Sequence, residues 1–117
     1  MAREVDGPAA ALVAASVKQH IDGALSLLER WVAVKLGVPR GESVATLSGT
    51  TGARARALVA GIAVQVNLCP TAAVAGHFGR ARATLSEQMS ASRKRQPDQQ
   101  ILGTPTRMIL EELKQLA

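Results

Sequence analysis

The sequence predicts an all-α fold, a helix-turn-helix bundle with a long N-terminal helix and a short C-terminal one. Three observations lead there. Hydrophobic residues make up 47% of the 117, yet Trp31 and Phe78 are the only aromatic ones, so the core must be built from Ala, Val and Leu. That composition, with few alternating β-branched runs, favours helix over strand. Apolar residues recur at spacings of three and four over long stretches, and Gly37-Val38-Pro39, Pro70 and Gly103-Thr104-Pro105 punctuate them. The length suits one domain with a modest core.

Residues 1–7 read as a flexible start, and Pro8 suits the first helical position, where its missing N–H costs nothing. Residues 8–95 read as one helical domain. From Ala9 to Leu36 the series Val13, Val17, Ile21, Leu25, Leu28, Trp31 and Val32 forms the stripe of a long amphipathic helix. It serves as a scaffold; being longer than a small domain needs to cover itself, it also reads as a partner helix, for instance in a homodimer. Gly37–Gly52 is a connector with room for a helical turn at Glu42–Leu47. Ala53–Asn67 is a second helix burying Ala57, Leu58, Ile62 and Val66, followed by helices at Pro70–Phe78 and Arg80–Arg93. Residues 96–105 read as a linker. Residues 106–117 form a last helix with Met108, Ile109, Leu113 and Leu116 on one side and Thr104 or Thr106 as cap.

The stretch Ala57–Gly79 carries no formal charge and imitates a membrane span. Gln65, Asn67, Pro70, Thr71 and His77 interrupt it, so two buried helices that part at Pro70 are expected instead. The N-terminus has no basic start followed by a clean apolar block, which predicts a cytoplasmic protein without membrane association. Cys69 stands alone and is expected as a small buried hydrophobe. With only His20 and His77 beside it, no metal site or cofactor is expected. Glu111 and Glu112 are adjacent and diverge on a helix, and no Ser, His and Asp set has a strand-turn-helix setting, so no enzyme is expected.

Ala72–Ser86 carries the functional signal. A short apolar helix ends in Phe78-Gly79, and Arg80 and Arg82 open a second helix in which Leu85 and Met89 lie four apart. Ala75 is small where a second helix must cross, and Gly79 tolerates the positive φ of the turn. Val74, Phe78 and Leu85 then face a common core, leaving Arg80, Arg82 and Ser86 outside to meet a DNA groove. Charge supports this. Ala53–Arg95 holds seven cations against Glu87 alone, a net +6, while the rest of the chain has seven cations and eight acids, a net −1. A basic segment of this kind suits a polyanion such as DNA.

From Trp31 to Arg95 the order of features resembles the C-terminal DNA-binding domain of the bacterial replication initiator DnaA, a Trp-repressor-type helix-turn-helix. Ala53-Arg54-Ala55-Arg56-Ala57-Leu58 is similar to that family's Ala-Arg-Pro-Arg-Gln-Met, and Phe78-Gly79-Arg80-Ala81-Arg82-Ala83-Thr84-Leu85 to its Phe-Gly-Gly-Arg-Asp-His-Thr-Thr-Val with one glycine fewer. The family's base-reading Asp-His-Thr is here Ala81-Arg82-Ala83, so a different site sequence is expected. No phosphate loop precedes the domain in this sequence, so an initiator's ATPase activity is not expected. The same helix-turn-helix type closes some transposases and forms the DNA-binding part of activators of bacterial gene-transfer agents.

The resemblance implies that Arg54 enters the minor groove, where negative potential concentrates, with Arg56 beside it. Arg80 and Arg82 open the recognition helix, and one can present its fork to a guanine edge. Ala83 offers a methyl to thymine. Thr84 and Ser86 reach phosphate or base edges, Thr84 doubling as a cap. Arg93, Lys94 and Arg95 bind phosphates or simply suit a helix C-terminus. The reading is a sequence-specific double-stranded DNA-binding protein, a bacterial transcription regulator and in particular an activator, working at the nucleoid with RNA polymerase or a partner activator. The alternatives are the targeting module of a transposition or replication system, and a helical adaptor that binds protein through the Val13–Val32 stripe.

Overall fold

The computed structural model describes the backbone of residues 7–116 and the side chains of residue 12 and residues 15–116. It contains α1 (Gly7–Leu36), α2 (Gly49–Gln65), α3 (Thr71–Phe78), α4 (Arg82–Arg93), α5 (Gln96–Leu102) and α6 (Thr106–Leu116), with no strand among these residues. The expected start at residues 1–7 falls outside the described part apart from Gly7, which already belongs to α1.

Helix α2 is the centre. Ala55, Ala57, Leu58, Val59, Ala60, Ile62 and Ala63 are all buried, so it is apolar nearly all round, as a helix with neighbours on every side must be. It packs against α1, α3, α4 and α5, and its alanines let those helices approach closely. It begins one turn earlier than the sequence predicts, through Gly49-Thr50-Thr51-Gly52, residues of poor helix propensity. Tertiary contact overrides that propensity. The single turn at 43–47, closed by Leu47 N–H to Ser43 O at 2.8 Å, lies against it. Gly52 sits so close that a Cβ there would stand 1.9 Å from the Leu47 carbonyl oxygen.

The uncharged stretch breaks as expected. α2 ends at Gln65, and α3 starts after Pro70. No helix among the described residues is long and apolar enough to cross a membrane. The turn between α3 and α4 forms at Gly79, whose φ of 63° and ψ of 36° lie in the left-handed region that glycine enters without a Cβ clash. Gly79 N–H donates to Gly76 O at 3.2 Å and Arg80 N–H to Ala75 O at 2.9 Å, the paired bonds that close a helix at such a residue. Val74, Ala75, Phe78, Leu85 and Met89 are buried, so the helix-turn-helix packs by the faces the sequence assigns.

Three expectations are corrected. Residues 96–105 are not a linker, because α5 occupies most of them. Pro97 in its first turn needs no N–H partner, and Asp98 is fully buried in polar contacts. Gln65 Nε2 donates to Leu102 O at 2.7 Å and Gln99 Nε2 to Arg93 O at 2.8 Å, so polar side chains hold α5 in place. Met108 lies outside the buried side of α6, 51% exposed, whereas Ile109 is buried and Leu113 and Leu116 are half-buried against the core. Thr104 donates its hydroxyl to Gln100 O and does not cap α6.

Helix α6 docks on α1. Trp31 Nε1–H donates to Glu112 Oε1 at 3.1 Å, Lys35 Nζ lies 2.8 Å from the same oxygen, and the Lys35 ammonium stands 5.1 Å from the Trp31 ring centre. On α1 itself Leu25, Leu28, Trp31 and Val32 are buried, but the stripe is not covered throughout. Val17 is 53% exposed, Leu12 is 72% exposed, and residues 15–20 are all exposed. The expected stripe residue Val13 lies outside the described side chains. At 30 residues α1 is about 45 Å long, nearly the 49 Å long axis of the molecule, so its first half projects from the body.

Candidate nucleic-acid interface

The start of α4 is displayed on a rigid support. Leu85 and Met89 anchor one face in the core, leaving Arg82, Ala83 and Thr84 exposed and Ser86 half-buried. The helix begins at Arg82 rather than Arg80, with Ala81 in extended conformation as its N-cap and no side-chain cap bond, so Thr84 has no capping role. Arg80 lies in the turn and is exposed. Arg93, Lys94 and Arg95 are exposed at the far end of α4, which is about 18 Å long. No ion pair involves Arg80, Arg82, Arg93 or Lys94 among the described residues. Two basic clusters thus frame one exposed helix face.

Arg54 and Arg56 are not part of that face. Arg56 is 5% exposed, and its Nη1 donates to Val44 O at 3.2 Å and Leu47 O at 2.7 Å. Burial and, secondarily, the nearby positive charge of Arg80 disfavour its proton. Its guanidinium ties α2 to the turn at 43–47, which corrects the expectation of a DNA contact there. Arg54 reaches Asp98 through Nε and Nη2, both 2.5 Å from Oδ1, and keeps 31% of its side chain exposed. The expected free minor-groove arginine is therefore a paired one. The tether follows from position, since Arg54 lies in the second turn of α2 where α5 packs.

Sequence reasoning missed the group that makes this pair. Asp98 is fully buried and also accepts from Ser92 Oγ at 2.7 Å and from Arg95 Nη1 at 3.5 Å. Burial alone would raise its carboxyl, but the Arg54 and Ser92 hydrogen bonds outweigh it and hold the acid below the usual carboxylate range. The signal was present in Arg95-Gln-Pro-Asp98, a proline and an acid in the first turn of a helix. Beside this network Thr50, Thr51, Arg54, Arg95, Gln96 and Pro97 line an open cleft of about 530 Å³.

His77, in the last turn of α3, packs beside Phe78. Its ring stands edge-on to Phe78 at 5.2 Å, but its nitrogens face α1. Nδ1 is 3.0 Å from Asp22 Oδ1 and Nε2 is 2.8 Å from Glu29 Oε2. Only the doubly protonated ring can donate to both carboxylates. Burial opposes that charge, yet the bonds to Glu29 and Asp22 outweigh it and raise the imidazole above its ordinary value. The clamp joins α3, which carries the turn, to the scaffold helix. Cys69 is buried as expected, and burial pushes its thiol up. No protein-family model matches the chain, and no curated protein or solved structure is measurably similar to it.

Proposed function

We propose that the chain is a sequence-specific double-stranded DNA-binding protein, a bacterial transcription regulator of the activator kind that reads the major groove with the start of α4. The observation that carries this reading is the exposed, unpaired Arg80 and Arg82 beside Ala83 and Thr84, on a helix anchored by Leu85 and Met89. The first residues of a recognition helix are the ones that meet base edges. Arg93, Lys94 and the outer edge of Arg95 contact phosphates and set orientation. In this reading Arg54 positions α5 rather than entering a groove unaided. The likeness to the initiator DnaA's C-terminal domain in the Phe78–Leu85 stretch supports a helix-turn-helix that meets DNA here, with bases other than the family's read by the changed residues 81–83. RNA polymerase or a partner activator meets the helices outside the turn, at the nucleoid.

The test is binding titration on a duplex selected by genomic binding profiling and on its scrambled counterpart, at several salt concentrations. Arg82→Ala should lose about 1–3 kcal/mol on the selected duplex and relax preference at one base position. Lys94→Ala should weaken binding to both duplexes and lower the salt slope by about one unit. Equal loss on both duplexes with Arg82→Ala refutes the recognition role. Binding profiles confined to origins or element ends favour the targeting-module reading over a promoter regulator. The exposed half of α1 gives the partner-helix reading its own support, since Leu12 and Val17 there have no cover.

A further inference from the structure

We infer that the projecting half of α1 pairs antiparallel with the same segment of a second copy of this chain. The inference rests on the partner-helix reading of α1 and is independent of DNA binding. Between Gly7 and Val17 there is no charged residue, and Ser16 is the single polar side chain. A helix with that composition has no face suited to water, and an isolated helix of about 15 residues is marginal without packing. Yet the described side chains of residues 12 and 15–20 are all exposed.

The spacing identifies the partner. Ala10, Val13, Val17, His20, Ala24 and Leu27 alternate steps of three and four, the seam of a two-stranded coiled coil. With Val17 set antiparallel against His20 of the second copy, Val13 falls opposite Ala24 and Ala10 opposite Leu27. Every layer then joins a larger side chain to a smaller or comparable one. A parallel pair would instead stack Ala10 on Ala10, Ala24 on Ala24 and one imidazole on another, leaving gaps in two layers and two polar rings in a third.

The rest of α1 leaves this seam available. Asp22 and Glu29 turn toward His77, and Leu25 and Val32 enter the core. Ala24 and Leu27 instead border an apolar groove of about 570 Å³, whose walls include Ile62, Val66, Leu110 and Leu113. The antiparallel register lays the tip of the second α1 along that groove, so the seam continues into an apolar bed. From Ala10 to Leu27 the contact runs about 26 Å. A band of that length buries on the order of 1,000 Å² over both copies, at the lower edge of stable interfaces. The pair should therefore be a dissociating dimer rather than a permanent one.

Sedimentation equilibrium of the full chain should give a concentration-dependent monomer–dimer equilibrium. Val17→Lys should raise the dissociation constant about tenfold or more, because it sets an ammonium without a carboxylate partner against His20 of the second copy; circular dichroism checks that helix content is kept. In a Cys69→Ala background, Val13→Cys with Ala24→Cys should oxidise to a covalent dimer, whereas Val13→Cys alone should not. A chain that stays monomeric, a dimer indifferent to Val17→Lys, or a dimer cross-linked by Val13→Cys alone overturns the inference. A monomer that still retards DNA would remove the pairing and leave the DNA reading standing; a dimer that retards none would do the reverse.

Discussion

The tripeptide Arg-Ala-Arg occurs twice, at 54–56 and at 80–82, and folding gives the two copies opposite surroundings. The first lies in the second turn of the central helix α2, where Arg56 is buried on two carbonyls and Arg54 is paired with Asp98. The second spans a turn and a helix start, where both arginines face solvent without an ion pair. Identical local sequence thus yields structural cations in one place and displayed ones in the other. What decides is whether acceptors lie within reach: the turn at 43–47 and the buried Asp98 supply them to the first copy. A charge count along the chain overstates the basic surface by these two residues.

The difference can be broken most forcefully at Arg56. Arg56→Ala should cost about 3–5 kcal/mol, because it strands the Val44 and Leu47 carbonyls in the interior and removes a packed side chain. Urea melts measure it, and a loss below roughly 1 kcal/mol would mean the guanidinium is dispensable and the two copies are alike. Asp98→Asn probes the other half of the first copy and should cost about 2 kcal/mol, moderated by the solvent that Arg54 still meets. Because the Asp98 carboxyl is held below its usual range, its contribution is complete above about pH 4 and fades as pH falls through the depressed value. The variant should therefore show a flatter acid limb in stability against pH.

His77 sharpens the comparison from the side of the second copy, since it anchors the helix that precedes Arg80. Its imidazole is raised, so its stabilisation is complete below about pH 6.5 and fades as pH climbs through the higher folded value. Melts at about pH 6 and about pH 8.5 should differ for the parent chain and converge for His77→Gln. An unchanged pH difference in the variant would assign the effect elsewhere. The smallest expected stability change is Arg82→Ala, within about 0.5 kcal/mol, as for an exposed side chain without partners. A larger loss would show that the second copy is structural too.

The helix-turn-helix was legible in the sequence because its determinants are local. Gly79 must take a positive φ, and Val74, Phe78, Leu85 and Met89 keep helical spacing on either side of it. The breaks at Gly37 and Pro70 were legible for the same reason. Helix α5 was not, because Gln-Pro-Asp-Gln-Gln has no apolar period; what orders it is a carboxylate meeting an arginine 44 positions away. The inward turn of Arg56 likewise depends on carbonyls in a connector with no pattern of its own. On α6 the Ile109, Leu113 and Leu116 spacing was correct, and Met108 was misplaced because one residue on a helix is a rotation of about 100°. For the candidate interface, the exposed cluster at the start of α4 was legible and the tethering of Arg54 was not.

Trp31 gives the molecule an optical handle. The chain has no other tryptophan and no tyrosine, so its near-ultraviolet emission comes from one indole. That indole is 1% exposed, and α6 supplies the carboxylate that takes its N–H. Detachment of α6 would wet the ring, shift its emission to the red and open it to aqueous quenchers. Fluorescence therefore reports on the docking of the C-terminal helix, and stopped-flow traces can time its release without any added label.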